Sequence, residues 1–368
     1  MRRMAGTDVG SPAWRRDKLM KFGFRRIAAA LTAVVTLALA GCGGAAGTSG
    51  SSDKADGQQE ISFVYSPYAD YAPFFLAQDK GYFEKAGVKV KMIPKGGTSG
   101  ETYQQVSTGN VTAGGASWGA GLFNATNAGA TMSVIASVSK IPTSGKNPAP
   151  FLFRKGSGVK SIADLKGKKV GIPGPGGFGL YSVYLALKSG GLSLKDVQLV
   201  NISTSDTPAA FANGSVDAAW TIEPMASKLE SEGIAEDLLS VDYQAGTELG
   251  TLVFNTDFTN KHQDQVVKFT AAYLHAAKEL KDGGWQDADN QKIISKYTTL
   301  PVETLKSIGL TNQDPTGEID FDNVRLQEDF FREQGTLDYQ GKANLESIDR
   351  KDVLKSAQEE EARIWPGA

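Results

Sequence analysis

From residue 61 onward, short β-branched and aromatic runs alternate with longer stretches whose apolar positions recur every three to four residues. That alternation predicts strands laid between covering helices. Ile61-Ser62-Phe63-Val64-Tyr65 reads as a first strand, and Pro73, tolerated in a first helical turn, opens a helix to about Lys85. Residues 88–93 form a second strand, followed by a helix through Val106 that Thr98 or Ser99 caps. A strand at 112–117, a helix at 119–128 and a strand at 132–138 complete one cycle. A similar cycle begins after the basic pair Arg154-Lys155: strand 169–172, turn 176–179, helix 180–189, strand 197–202, helix 207–213 and strand 216–221. Residues 250–255 predict a strand that returns to the first half. Helices follow at 263–281, 289–297, 302–308 and 322–334, with a charged helical tail at 351–363. The doubled layout predicts an α/β protein of two similar lobes, at 59–153 and 154–249, with 250–368 returning to the first.

The chain before residue 59 follows other rules. Arg25-Arg26 precedes an apolar run of about 14 residues, Ile27 to Ala40, which is too short to span a bilayer comfortably and has the build of a secretory signal. Leu39-Ala40-Gly41-Cys42 resembles a bacterial lipobox, which implies a diacylglyceryl group on Cys42 and cleavage before it. A lone buried cysteine or an uncleaved anchor would need apolar neighbours on both sides, but Gly43-Gly44-Ala45-Ala46-Gly47-Thr48-Ser49-Gly50 follows. Residues 1–41 are therefore expected to be a lipoprotein signal peptide. Residues 42–58 form a flexible tether reaching roughly 20 to 24 Å. The expected location is the outer face of a bacterial cytoplasmic membrane. Met20-Lys21-Phe22 makes a more ordinary signal start than Met1.

Removing residues 1–41 takes away eight basic and two acidic side chains and leaves 31 and 39, a net charge of −8. A surface this acidic argues against nucleic acid as a partner. Cys42 is the only cysteine and His262 and His275 the only histidines, so neither a disulfide framework nor a zinc or iron site is expected, and no cofactor.

Ala72-Pro73-Phe74-Phe75-Leu76-Ala77-Gln78-Asp79-Lys80-Gly81-Tyr82-Phe83-Glu84 resembles the first helix of periplasmic solute-binding proteins of the sulfonate, nitrate and thiamine-pyrimidine type. Asp164-Leu165-Lys166-Gly167-Lys168-Lys169-Val170-Gly171 is similar to their approach to the second lobe. Asn213-Gly214-Ser215-Val216-Asp217-Ala218-Ala219-Trp220, with Glu223-Pro224, resembles the strand and turn that follow. The matches keep the family's order over about residues 61–255. The resemblance implies a type II periplasmic-binding-protein fold, two lobes joined by a hinge around a ligand cleft. It also implies an ABC permease and ATPase as partners. The alternative is a sensing or surface lipoprotein that uses the same fold without a transporter.

Ligand contacts in such a fold come from loops at the carboxyl ends of strands. Those loops supply Tyr68, Asp70, Thr98, Ser99, Ser117, Trp118 and Lys140 on the first lobe, and Gly176, Gly177, Phe178, Thr204, Trp220 and Glu223 on the second. Thr98-Ser99 and Gly176-Gly177 would offer backbone N–H groups to an anion. Tyr68, Trp118 and Trp220 would wall or stack on a ligand, with plain core packing as their alternative role. Asp70 and Glu223 would take an amine, and a solvated or capping role is the alternative for Glu223. Arg154, at the chain's crossing between lobes, is a candidate for an added anion contact. The run at 174–179 lacks the Lys-Ser/Thr ending of a P-loop, and Gly97-Thr98-Ser99-Gly100 is no nucleophile elbow. The cysteine-rich motif of the family's eukaryotic biosynthetic branch is missing from the sequence. A binder is therefore expected rather than an enzyme, with a sulfonate, pyrimidine or aromatic acid preferred over nitrate.

Overall fold

The chain builds two five-stranded sheets and crosses between them twice, which fixes the direction of every strand. The computed structural model describes residues 59–95 and 98–367; Cys42, the signal and the tether lie outside them. The first sheet holds β1 (Ile61–Tyr65), β2 (Val90–Pro94), β3 (Ala113–Ser117) and β4 (Met132–Lys140). The second holds β5 (Phe151–Arg154), β6 (Lys169–Ile172), β7 (Gln198–Asn201), β8 (Ala218–Trp220) and β9 (Ala235–Glu236). The strand β10 (Glu248–Asn255) returns to the first sheet, giving the orders β2-β1-β3-β10-β4 and β7-β6-β8-β5-β9. Each arriving strand enters its sheet at the end where the chain left the other. Hence β10 runs antiparallel to β3 and β4, and β5 antiparallel to β8, while β1 is parallel to β2 and β3 and β6 to β7 and β8. The carboxyl ends of the parallel strands of both sheets therefore face the crossings.

Side-chain and backbone hydrogen bonds tie the two crossings to each other. Gln244 Nε2 donates to Asn147 Oδ1 at 2.8 Å and to Ala149 O at 2.9 Å, and Ile141 N–H donates to Thr247 O at 2.8 Å. Helix Gln263–Lys281 covers the first sheet, where Phe74 stacks on Phe63 and on Tyr273 with centroids 4.5 Å apart in both pairs. A second apolar cluster runs through both sheets, from Val64 and Trp118 to Phe151, Phe178 and Trp220.

The structure corrects two readings. The expected helix from Pro73 to Lys85 is two, Ala72–Asp79 and Tyr82–Lys85, because Gly81 sits at φ 72°, where a side chain is strained and a helix stops. The second sheet also begins earlier than Lys169. Phe151–Arg154 is a buried edge-to-centre strand whose four residues are too few to show a period. Among the described residues, no helix is long and apolar enough to cross a membrane.

Candidate functional site

Small residues bring the facing ends of the two sheets together. β3 reads Ala-Gly-Gly-Ala-Ser, and a Cβ on Gly115 would lie 2.1 Å from Tyr71 Cε1, so the bare strand lets the turn after β1 settle flush on it. That turn carries Tyr68 and Asp70. Helix Ala120–Asn127 starts directly after β3, and a Cβ on its Gly121 would stand 3.4 Å from Gly100 Cα in the first turn of helix Ser99–Ser107. From the second sheet, helix Phe178–Ser189 begins after β6, and Gly176 O accepts from Ala120 N–H at 2.9 Å. Three helix N-termini thus meet through glycines, and no side chain caps any of them at Thr98, Gly119 or Gly177. Uncapped first-turn N–H groups carry the positive end of the helix dipole.

Thr98 does not cap its helix, and Ser99 Oγ instead accepts from Ser117 N–H at 3.0 Å, fastening the helix to β3. Trp118 is fully buried between Phe123 and Phe321, each 6.3 Å away. Trp220, at the end of β8, meets Phe178 edge-on at 6.3 Å. Both indole N–H groups are buried and find no acceptor. An unsatisfied buried donor costs about 1–3 kcal/mol, so two of them near helix starts that lack side-chain caps mark a region short of acceptors. Tyr68 lies near the Thr204 side chain of the second lobe.

Asp70 is buried, with one carboxyl oxygen unpartnered and the other 3.4 Å from Ser139 Oγ. Burial pushes its carboxyl up to about 7. Lys140 is paired with Glu248 at 3.0 Å, and Glu248, fully buried, also accepts from Ser137 Oγ and Asp320 N–H at 2.8 Å each. The Lys140 charge is therefore already met within the chain.

Two candidates are engaged elsewhere. Glu223 accepts from Ser227 N–H at 3.0 Å, Ser227 Oγ at 2.8 Å and Gly309 N–H at 3.0 Å, with Lys146 at 3.6 Å, so its carboxylate braces the segment before cis Pro224. Arg154 stands at the far end of β5, away from the Phe151–Trp220 pair, and is held by Asp217 at 3.1 Å. Its place in the sequence just after the crossing suggested otherwise, but four residues of strand carry it to the opposite edge.

Sequence reasoning passed over Gln313 and Phe321, which close this region from the C-terminal third. Gln313 Nε2 donates to Asp70 O at 3.0 Å across 243 residues of sequence. No local signal announces a contact of that span. Two surface pockets of about 220 and 440 Å³ lie away from the meeting of the sheets. The first opens beside Thr112, Asn255 and His262 at the opposite end of the first sheet's central strands, and the second lies by His275 and Glu279. Neither contains any of the candidate residues on the loops that face the crossings, and the orphaned polar atoms are the stronger marker of a site.

Two lobes, twice-crossing strands and a donor-rich meeting of helix starts define a cleft protein of the two-lobed binding-protein type. The chain belongs to the NMT1/THI5-like family, which matches residues 68–282. It is 30% identical over 297 residues to a putative aliphatic sulfonates-binding protein of Bacillus subtilis, covering 77% of this chain and 82% of that one. The periplasmic nitrate-binding protein NrtA of Synechocystis shares the fold with a TM-score of 0.66 at 15% identity, over 84% of this chain and 91% of that one. So does the desulfurization enzyme DszB, with a TM-score of 0.59 at 15% identity, over 82% and 99%.

Proposed function

We propose that this chain is the extracytoplasmic solute-binding component of an ABC importer, tethered by lipid on Cys42, and that it captures a small organic sulfonate between its lobes. The observation that carries the reading is the convergence of three helix N-termini without side-chain caps, from both sheets, beside two buried indole N–H groups without acceptors. Such a surface is short of negative charge and acceptors, and an anion supplies both. Because the donors come from both lobes, an anion among them favours the state in which the lobes meet, which is the state a permease would recognise. The relative from Bacillus subtilis directs the choice of anion towards sulfonates.

Binding rather than catalysis is supported by where the histidines lie. His275 stacks on Trp365 at 4.2 Å and pairs with Glu361 at 3.0 Å, and His262 lies at the opposite end of the first sheet's central strands. Neither stands near the loops that face the crossings. The test is a thermal-shift series on the purified full chain with alkanesulfonates, aromatic sulfonates, pyrimidines and nitrate. A sulfonate present at 100 times its Kd should add about 2.7 kcal/mol and raise Tm. A shift with nitrate or a pyrimidine and none with any sulfonate overturns the sulfonate assignment.

A further inference from the structure

Two segments cross between the lobes, and a third, residues 308–317, touches both. Ile308 and Leu310 pack into the apolar cluster that Phe63, Phe74 and Phe254 build in the first lobe. Beyond them, Asn312 exchanges both backbone hydrogen bonds with Lys140 on β4 at 2.9 Å each, and Gly317 O accepts from Ser137 N–H at 2.8 Å. This stretch is thereby laced to the first lobe. Gly309, in its midst, faces the second. It is buried against the first crossing, where a Cβ would lie 2.5 Å from Asn147 O and 2.7 Å from Pro148 N, so only glycine fits there. Its N–H donates to Glu223 Oε1 at 3.0 Å.

Glu223 belongs to the second lobe. It follows β8, and the helix after it, Met225–Ser231, buries Ala226 and Leu229 among Leu152 and Phe211. Its Oε2 accepts from Ser227 N–H within that lobe, whereas its Oε1 accepts from Gly309 N–H as well as from Ser227 Oγ. Lys146, from the first crossing, stands 3.6 Å from the same Oε1 and pairs with Glu230 at 2.8 Å. A carboxylate only 1% exposed thus joins a backbone donor of one lobe to a helix of the other.

We propose that residues 308–317 are a strap of the first lobe that the Glu223 carboxylate latches to the second, and that this latch holds the lobes together before any solute arrives. A hydrogen bond to an ionised acceptor is roughly twice as strong as a neutral one, and parting Gly309 from Glu223 leaves a buried donor and a buried charge each short of a partner. The latch therefore weights the balance towards the closed state, and a solute has that much less to supply when it binds. This inference rests on capture by closure of the lobes and is independent of which solute is captured.

The experiment is X-ray scattering from the full chain without solute, for the wild type, Glu223→Ala, Gly309→Ala, the double variant and Ser227→Ala. Glu223→Ala removes the acceptor, and Gly309→Ala drives the strap off Asn147, so each should raise the radius of gyration. The double variant should rise no further than the larger of the two, because both break the same bond. Ser227→Ala removes a hydroxyl within the second lobe and should scatter like the wild type. Both latch variants should also bind ethanesulfonate about threefold or more weakly. Wild-type scattering from Glu223→Ala and Gly309→Ala, equal opening by Ser227→Ala, or additive opening in the double variant overturns the inference, as does unchanged ethanesulfonate affinity in a variant that opens. Absence of ethanesulfonate binding by the wild type counts against the sulfonate reading alone, and scattering decides the latch without it. If Glu223→Ala does not fold, Gly309→Ala decides.

Discussion

At the scale of single residues, Asp70 sets the sharpest expectation. Its carboxyl is held up to about 7 by burial, against an ordinary value of 3.8. A raised carboxyl keeps its proton in the folded chain after the unfolded chain has lost its own, so the folded state binds more protons between those two values. Stability contributed by Asp70 is therefore full below about pH 4 and is lost as pH climbs through 7, by about 4 kcal/mol at most. Asn at this position has nothing to titrate. The Tm of Asp70→Asn should gain on that of the wild-type chain from pH 4 to pH 7 and hold a constant lead above it. Parallel pH curves would show that the carboxyl is not buried as described. Glu223 is the contrasting case. Its pKa is also raised, by burial, but Gly309 and Ser227 donate to it, and the charge is stabilised by the chain itself. The two acids look alike in sequence, each in a loop after a strand, and only the count of donors around them separates their roles.

At the scale of elements, the glycines at the helix starts decide how closely the lobes meet. Gly119 is extended at φ 176°, so an alanine there strains no backbone, yet its Cβ would come 2.5 Å from Gly176 O. Gly119 is itself buried and the clash is with backbone, so Gly119→Ala should lower stability by about 1–3 kcal/mol, as overpacking does. It should weaken sulfonate binding about tenfold or more by forcing the lobes apart where Ala120 N–H meets Gly176 O. Unchanged affinity by titration would mean that capture does not depend on this contact. The elements that position these glycines are largely legible in the sequence. Ile61–Tyr65 and Lys169–Ile172 show themselves through β-branched and aromatic runs, and the starts of the helices after β3 and β6 through their glycines. Phe151–Arg154 and the break at Gly81 are not, since a four-residue buried strand has no period and a glycine inside a helical pattern is ambiguous until its φ is known. The strand-end residues Asp70, Trp118 and Trp220 follow from the rule for open sheets, whereas Gln313 does not. It reaches Asp70 from a stretch with no helix or strand pattern of its own, and only the fold brings it there.

At the scale of the whole molecule, one helix from the C-terminal third grips both lobes. Helix Phe321–Glu333 presents Phe331, fully buried, to Phe123 of the first lobe at 6.3 Å, and Phe321 to Trp118. Its neighbouring Phe330 turns the other way and meets Tyr184 at 4.7 Å and Tyr181 at 5.2 Å on the second lobe's first helix. The crossings alone would leave the lobes joined by two short segments, around which a bend is easy. The added aromatic contact spans the joint, and its loss should free the bend without unfolding either sheet. Phe330→Ala should cost about 3 kcal/mol or somewhat less in denaturant titration, since a cavity at this boundary can partly collapse. It should also raise the radius of gyration of the chain measured in solution by X-ray scattering without solute. Saturating sulfonate should restore the wild-type value, because a solute held by donors of both lobes supplies the grip that Phe330 gave up. Phe331→Ala, on the first-lobe side of the same helix, should lower stability in similar measure by loosening the helix from its base. If Phe330→Ala loses stability but scatters like the wild type, the crossings themselves hold the lobes, and helix Phe321–Glu333 is a cover for the joint and not its brace.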